Sequence, residues 1–163
     1  MYVNEAMSVN VAVGTAKTSL EEISRLMWDN DCGAIPIVNS AHKPIGIVTD
    51  RDVAMAAMLN HRPLWELEAS ALLKDQRLCS CHQDEPLEDC LMKMEQNGVR
   101  RILVVGEDGR LNGIVSMGDI VAFTSQKTGN RKQKGVVAAA NVIGMLKRVS
   151  GHHESESRPV TVV

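Results

Sequence analysis

The chain has 163 residues, 44% of them apolar, and a formal net charge of −2, which is ordinary for one compact domain or two small halves that share a core. The charge predicts no general affinity for nucleic acid, and two tryptophans, one tyrosine and one phenylalanine are too few for the base stacking used in single-strand recognition. Because the first ten residues do not resemble a secretion signal and no segment reaches about 18 consecutive apolar residues, we expect a cytoplasmic protein with no membrane partner.

The first half of the chain predicts a short strand, a helix, a pair of strands and a second helix. The first helix has two candidate N-caps, Thr18 and Ser19, each followed three residues later by a glutamate. Pro36 places the second strand near a sheet edge or a bulge. The predicted elements are a strand over residues 9–13, a helix over 19–30, strands over 34–38 and 45–48, and a helix over 50–60.

The second half repeats that order of elements. Pro86 occupies a favoured position at a helix start, and Asp108 followed by Gly109 predicts a hairpin turn. The predicted elements are a strand over residues 78–81, a helix over 86–97, strands over 101–105 and 111–115, and a helix from residue 118 to about residue 124.

The remaining segments connect and follow the two halves. In the connection we expect four apolar side chains to pack over the seam: Trp65, Leu67, Leu72 and Leu73. A basic stretch follows the second half, then an amphipathic helix over 136–149 that packs on the domain or on a second subunit, and a mobile polar tail. The division is repeat 1 over residues 1–62, a linker helix region over 63–76, repeat 2 over 77–125, and basic linker, helix and tail over 126–163.

One short phrase occurs twice in the chain. The sequence Gly-Ile-Val-Thr-Asp-Arg-Asp at residues 46–52 returns as Gly-Ile-Val-Ser-Met-Gly-Asp at residues 113–119, an offset of 67 residues. A spacing of this length that is present only twice indicates a duplicated half-domain rather than a solenoid. We therefore predict an α/β (α+β) fold in which two βαββα halves pack about a pseudo-two-fold axis, with a C-terminal helix added.

In each copy of this phrase a strand turns directly into a helix. The hydroxyl of Thr49 or Ser116, with an acid three residues later, can simply form a capping box, which is common at helix starts. The same groups also suit a nucleoside phosphate, because a helix start attracts phosphate and a carboxylate accepts from ribose hydroxyls. Gly46 and Gly113 would allow a close backbone approach beside it.

With these motifs the chain resembles a tandem pair of cystathionine-β-synthase-type (CBS) domains, also called a Bateman module. The resemblance rests on residues 34–38 and 46–52 in the first repeat and on residues 99–105 and 113–119 in the second. It covers roughly residues 6–124, about three quarters of the chain. The resemblance implies two halves packed sheet to sheet, with two clefts for adenosine-containing ligands.

The resemblance also assigns site residues. The motif acid and hydroxyl of the family contact ribose and phosphate, which implies these roles for Asp52 with Thr49 and for Asp119 with Ser116. The implied adenine walls are Ala34, Ile35, Pro36 and Val13 in the first repeat, and Arg101, Ile102, Leu103 and Cys81 in the second. The implied phosphate contacts are Arg100, Arg101 and Arg51.

Two departures from the family pattern predict unequal clefts. Leu103 stands where a proline is common, which alters the second adenine wall. Met117 and Gly118 leave the second motif without a basic residue at the position of Arg51. We therefore expect the cleft of Thr49 and Asp52 to be the occupied one.

The resemblance implies a non-enzymatic regulatory module that binds an adenine nucleotide or a related ligand, with AMP, ADP, ATP, NAD and S-adenosylmethionine all open. Ligand binding would change the geometry of the CBS pair or of a homodimer, and the regulated effector would be a separate protein. The sequence has no Gly-x-Ser-x-Gly, P-loop or His-Glu-x-x-His motif to indicate catalysis.

Two other interpretations stay open on the sequence. In the first, the protein is a structural dimerisation module whose motif acids only cap helices. In the second, Cys79, Cys81 and His82 form a metal or redox sensor. A single Cys-x-Cys pair lacks the second pair of ligands of a structural zinc site, so we expect no metal and regard small buried side chains as the more ordinary role.

Overall fold

Each half of the chain builds one small sheet with helices beside it, giving a mixed α+β fold. The computed structural model describes residues 1–74, 76–127 and 144. The first repeat contains α1 (Leu20–Asp29), β1 (Ala34–Val38), β2 (Pro44–Thr49) and α2 (Asp50–Asn60). The second contains β3 (Ser80–His82), α3 (Leu87–Asn97), β4 (Arg101–Val105), β5 (Leu111–Ser116) and α4 (Met117–Lys127).

The helix starts follow from short side chains that accept backbone hydrogen bonds. At α1 the amide of Glu22 donates to Ser19 Oγ at 3.2 Å, so Ser19 is the N-cap and the alternative of Thr18 is wrong. The helix ends at Asn30, and Asp31 has a φ of 47° that turns the chain out of the helix. The local pattern therefore sets both ends of this helix.

The two sheets have matching pairings. Strands β1 and β2 are antiparallel, as are β4 and β5, while β3 adds to β4 in parallel. Both antiparallel pairs contain a register shift, one between Ile37 and Val38 and the other between Val104 and Val105. These positions are one repeat offset apart, so the duplication extends to an irregularity of the backbone.

The predicted strand over residues 9–13 is wrong. From this part of the chain, Gly14 alone pairs with β1, through one parallel bridge to Ile37. Residues 9–13 do not continue it because Asn10 has a φ of 57° and Ser8 pairs instead with Ile114 of β5. In the second repeat the corresponding strand runs from Ser80 to His82, slightly later than predicted.

The two repeats fill the space beneath this short strand differently. A Cβ on Gly14 would lie 2.6 Å from Ile23 Cδ1, so glycine leaves room for a large neighbour. One repeat offset later, the same two positions are Cys81 and Cys90, both buried. The first repeat thus pairs a small residue, Gly14, with a large one, Ile23, where the second repeat has two cysteines of intermediate size. Both combinations fill the space, so each core stays close-packed.

The segments that precede the two repeats are exchanged between them. The amide of Leu20 donates to Leu67 O at 2.8 Å, and the amide of Leu87 donates to Met1 O at 3.0 Å. The start of the chain therefore pairs with the second repeat, and the connection pairs with the first. The two reciprocal contacts are what a pseudo-two-fold relation predicts.

The exchanged segments also complete the two helix-facing cores. Val3 is fully buried in the cluster of the second repeat, with Leu87 and Met94. Leu67 and Ala69 are buried in the cluster of the first repeat. Each core thus contains apolar side chains from a segment that sequence order places next to the other repeat.

The connection does not cover the seam as predicted. Trp65 is 65% exposed, because it lies in a short 3-10 turn whose neighbours Leu64 and Leu67 point to the core instead. Leu72 and Leu73 do pack, but against the core of the first repeat.

A third apolar cluster joins the two halves. It contains Val38 from β1 and three residues of the second sheet, and residues from the start of the chain pack beside it. Because side chains of both sheets meet there, the halves pack sheet to sheet as the resemblance implies. Its members are Val38, Leu103, Leu111 and Ile114, with Val11, Val13 and Ile47 partly buried against them.

The last described helix is longer than predicted. It runs to Lys127, past the expected end near residue 124. The predicted helix over residues 136–149 lies outside the described residues except for Gly144, which is helical. Within the described part of the chain, every helix is too short or too polar to cross a bilayer.

The buried position of Val3 gives a test of the exchange. Changing Val3 to Ala removes two methyl groups, so we expect the free energy of unfolding to fall by about 1.6 kcal/mol or more, at about 0.8 kcal/mol per group plus the cost of the cavity. Urea denaturation followed by circular dichroism measures the change. The matched control is Val9→Ala, since Val9 is 56% exposed; we expect it to stay within about 0.5 kcal/mol of wild type. Equal stability of the two variants would show that residues 1–8 do not complete the second core.

Candidate functional site

The repeated phrase forms a capping box in the first repeat. Asp52 Oδ2 accepts from the Thr49 amide at 2.9 Å and from Thr49 Oγ1 at 2.7 Å. In return the Asp52 amide donates to Thr49 Oγ1 at 3.2 Å. The acid is therefore fixed against the start of α2 before any ligand arrives.

The second repeat reproduces this geometry. Asp119 Oδ2 accepts from the Ser116 amide at 2.7 Å and from Ser116 Oγ at 2.6 Å. The repeats differ at the other carboxylate oxygen. Ser8 Oγ donates to Asp119 Oδ1 at 3.3 Å, whereas no group in the described residues donates to Asp52 Oδ1.

The second motif lies in a cleft of about 390 Å³, which we call the Asp119 cleft. Its walls come from both halves of the molecule. The volume falls within the range of pockets that hold small molecules. The cleft is lined by residues 8–12, residues 30–34, Arg101, Ile114, Ser116 and Asp119.

Arg101 is the only cation among the described lining residues of this cleft, where the acids are Asp31 and Asp119. It is the first residue of β4 and pairs with Ser116 across the sheet. Its side chain makes no hydrogen bond or ion pair with any residue that the structure describes. A half-buried guanidinium without a partner is a ready donor to a phosphate or carboxylate.

A second cleft, of about 530 Å³, adjoins the first, and we call it the Trp28 cleft. It shares residues 31–33 and Arg101 with the Asp119 cleft. Its other walls come from the end of α1 and the start of α2: Ser24, Met27, Trp28, Asp50 and Val53. A third cleft, of about 420 Å³, shares residues 9–11 with the Asp119 cleft and is lined by polar side chains such as those of His42, Gln83 and Asn112.

The structure separates the residues that the resemblance assigned. Four of them meet in the Asp119 cleft: Ala34, Arg101, Ser116 and Asp119. Thr49 and Asp52 are half-buried and line none of these three clefts. Arg51 and Arg100 are exposed. Val13 is half-buried, and the other assigned residues are packed in the interior: Ile35, Pro36, Cys81, Ile102 and Leu103.

Two walls of the Asp119 cleft were not predicted from the sequence. Residues 8–12 come from the start of the first repeat, although the acid belongs to the second. Residues 30–33 form the turn between α1 and β1. The matching turn of the second repeat precedes Arg101, so the duplication contained a signal for this wall, whereas nothing local indicates residues 8–12.

The repeated glycines serve the packing of the chain. A Cβ on Gly113 would lie 2.5 Å from Ser8 O, and a Cβ on Gly46 would overlap Leu73 Cδ2. The close approach predicted at these positions is therefore made by the exchanged segments.

The cysteines of β3 are oriented toward the core. Cys81 and Cys90 are buried with their sulfurs 3.7 Å apart, and His82 is exposed on the opposite side of the strand. The contact with Cys81 and burial both raise the pKa of Cys90, and burial raises the pKa of Cys79. The same contact lowers the pKa of Cys81. No set of three potential ligand side chains gathers among the described residues.

An ion pair closes this corner of the second repeat. Lys93 Nζ lies 2.6 Å from Glu85 Oε2, and Glu85 Oε1 accepts from the His82 amide. Burial opposes ionisation of Glu85, but the bonds from Lys93 and His82 outweigh it and hold its pKa below the usual value. The same pairing outweighs burial at Lys93 and raises its pKa.

Comparison with known proteins identifies the family. The CBS domain model matches residues 3–59 and 75–125. CBS domain-containing protein YhcV of Bacillus subtilis is 30% identical over 122 residues, which is 72% of this chain and 81% of that protein. The chain belongs to the CBS domain family.

Other relatives are longer proteins. The uncharacterized protein MK0525 of Methanopyrus kandleri is 29% identical over 119 residues, covering 73% of this chain and 60% of that protein. The homoserine O-acetyltransferase of Methanohalobium evestigatum is 28% identical over 119 residues, covering 73% of this chain but only 23% of the enzyme. The similarity to this enzyme is therefore confined to a minor part of its length.

Solved structures share the fold. Hypoxic Response Protein I, with two coordinated zinc ions, has a TM-score of 0.68 at 25% identity and covers 75% of this chain and 98% of its own. The CBS domain pair of MJ0100, in complex with 5′-methylthioadenosine and S-adenosyl-L-methionine, has a TM-score of 0.67 at 24% identity. The match covers 78% of this chain and 98% of that one. PAE2072 of Pyrobaculum aerophilum, complexed with AMP, has a TM-score of 0.67 at 17% identity. The match covers 80% of this chain and 100% of that one. The tandem CBS-pair architecture is thus confirmed.

The environments of the cysteines predict how the thiols react. We expect Ellman's reagent to modify Cys32 quickly, because it is exposed, and half-buried Cys79 slowly. Cys81 and Cys90 should react only after denaturation, since both are buried. Counting released thiolate in native and denatured protein measures this. Rapid reaction of Cys81 or Cys90 in the native protein would support an accessible redox or metal site at β3.

Proposed function

We propose that this protein is a regulatory module that binds an adenosine-containing ligand in the Asp119 cleft. The observation that carries the proposal is the joint presence of an unpartnered arginine and the motif carboxylate in one cleft of ligand size. The acid suits the ribose, and the cation suits the 5′-phosphate or another anionic group.

The hydrogen bonds at Asp119 suit this role. Oδ2 is held by the Ser116 cap, but the 3.3 Å bond from Ser8 to Oδ1 is long for a hydroxyl donor. A ribose hydroxyl can replace Ser8 there with a shorter bond. The start of α4 beside it adds a partial positive charge.

Relatives support the ligand class. The CBS pairs of MJ0100 and PAE2072 were solved with 5′-methylthioadenosine, S-adenosylmethionine and AMP, which share an adenosine group. The choice among AMP, ADP, ATP, NAD and S-adenosylmethionine is not fixed by this likeness.

The sequence had suggested that the first motif is the occupied one. We place the ligand at the second motif instead. Arg101 and Asp119 line the same cleft, whereas neither Thr49 nor Asp52 lines any of the three clefts described above. Occupancy of the Thr49 and Asp52 motif stays a prediction, and the described geometry favours the other motif.

Regulation would follow from linkage between the ligand and the exchanged segment. Ser8 both donates to Asp119 and pairs with β5, so a ligand that displaces its hydroxyl acts on the segment that holds the first residues to the second repeat. The ligand shifts this equilibrium only by its difference in affinity for the two arrangements. In this proposal the protein is non-enzymatic and cytoplasmic, and its effector is a separate protein.

A homodimer is part of the proposal. Helices α2 and α4 begin at equivalent positions of the two repeats, and both expose apolar side chains: Met55, Met58 and Leu59 on α2, and Val121 on α4. Adjacent exposed apolar residues commonly mark an interface. A second copy would cover them, as the resemblance implies.

Calorimetric titration tests the ligand site. We expect at least one of AMP, ADP, ATP, NAD and S-adenosylmethionine to bind wild type, and Asp119→Asn to raise its Kd by about tenfold or more, because a hydrogen bond to a charged group contributes about 1.5–3 kcal/mol. The matched control is Asp52→Asn, which alters the same cap in the other repeat and should change Kd by less than about twofold if only the second motif binds.

The structural alternative predicts a different result. If the acids only cap helices, both variants lose stability in a similar way and no ligand releases heat on titration. Absence of binding for all five ligands would overturn the proposed function. A loss of binding in Asp52→Asn alone would move the site to the first motif.

Sedimentation velocity tests the dimer. Changing Met58 to Glu places a charge on the α2 face, so we expect it to convert a wild-type dimer to monomer. The control is Met92→Glu on α3, since Met92 is 51% exposed and Met58 is 54% exposed. A monomeric wild type, or equal effects of the two changes, would contradict an interface on α2.

A further inference from the structure

The Asp119 and Trp28 clefts are parts of one continuous depression around Arg101. They share residues 31–33 as well as Arg101. With volumes of about 390 and 530 Å³, each is large enough for a small ligand. A mononucleotide bound at Asp119 would leave the Trp28 cleft empty.

Gly33 keeps the passage between the clefts open. A Cβ at this position would lie 3.0 Å from Arg101 Nη2 and 3.1 Å from Asp50 Oδ2. Gly33 does not have a left-handed φ, so its backbone does not require glycine. What the missing side chain provides is space between a cation and an acid, at the junction of the two clefts.

Trp28 supplies an aromatic surface to the second cleft. The side chain is 87% exposed, whereas α1 buries Leu20, Ile23 and Met27 on its other face. A large exposed indole does not contribute to the core. A flat ring or a cation can stack on it.

The charges of the Trp28 cleft select against a second phosphate. Asp31 and Asp50 line it with Arg101 as the only cation among its described lining residues. Asp50 lines this cleft only, and a phosphate at the shared Arg101 already uses the one cation, so the rest of the Trp28 cleft attracts a positively charged group rather than a second phosphate. Ser24 Oγ already donates to Leu20 O at 2.7 Å, so it adds no free hydroxyl donor.

From this arrangement we propose that the joined clefts bind a dinucleotide whose second ring is cationic, as in oxidised NAD. The adenosine ribose lies at Asp119, the diphosphate lies against Arg101, and the pyridinium ring stacks on Trp28 between Asp31 and Asp50. The inference rests on the proposed adenosine site and adds a second subsite. It also makes the module respond to the oxidation state of the ligand, because the reduced ring is neutral.

The test compares four probes by calorimetric titration: NAD⁺, NADH, ADP-ribose and AMP. We expect NAD⁺ to bind about five- to tenfold more tightly than NADH or ADP-ribose, the size of one cation–π contact. Trp28→Ala should reduce the affinity for NAD⁺ to that for ADP-ribose and leave AMP unchanged. The matched control is Trp65→Ala, since Trp65 is also exposed but lines neither cleft.

Two further variants give independent readouts. In Trp65→Phe, Trp28 is the only tryptophan of the chain, so NAD⁺ should quench its fluorescence while AMP does not. Gly33→Ala narrows the passage, so it should weaken NAD⁺ more than AMP.

The outcomes separate this inference from the proposed function. Equal affinity for NAD⁺ and AMP, with no effect of Trp28→Ala, would overturn the second subsite and leave the adenosine site in place. Binding of NADH as tight as that of NAD⁺ would overturn the selection for a cationic ring. Failure of all four probes to bind would overturn both proposals.

Discussion

The site depends on a carboxylate that the helix start has already fixed. In each repeat one oxygen of the motif acid accepts both the amide and the hydroxyl of the N-cap residue, so its rotamer is set by the chain itself. The other oxygen is left for Ser8 or for a ligand. A group ordered in this way loses little conformational entropy on binding, because folding has already ordered it. Capping and ligand binding are therefore two uses of one side chain, and the sequence motif alone does not separate them.

Features encoded by neighbouring residues could be predicted from the sequence. The bounds of β1, α2 and β4 match their predictions, since caps, apolar periods and turns are local signals. The errors fall where a distant segment competes for the chain. Residues 9–13 have the composition of a strand, but Ser8 is held by β5 of the other repeat and Asn10 turns the backbone. Trp65 is apolar, yet the connection turns it to solvent while Leu67 takes the buried place.

The sequence also predicted the locally encoded part of the candidate site. Asp119, Ser116, Arg101 and Ala34 were found because the duplication marks them. The walls from residues 8–12 and 30–33 come from the other half of the molecule, and no local pattern indicates which motif they face. The two halves have also diverged by paired changes that keep the total side-chain volume similar. Gly14 and Ile23 in the first repeat correspond to Cys81 and Cys90 in the second. A shared fold therefore does not give two equal sites, and the single unpartnered Arg101 makes them different.

The exchange of segments has a consequence for the synthesis of the protein. While the chain leaves the ribosome, the first repeat lacks the backbone partners of residues 67–70 until the connection has emerged, and Val3 has no core to enter until α3 and β4 follow. An N-terminal half released early would carry unpaired backbone groups at residues 16–20 and an apolar segment without a partner, and exposed apolar surface promotes aggregation of nascent chains. The first repeat cannot finish folding before the connection has emerged, and the second cannot finish without the first residues of the chain. The two repeats therefore have to be made as parts of one chain. Cutting the chain before the connection would take from each repeat a segment that completes its core.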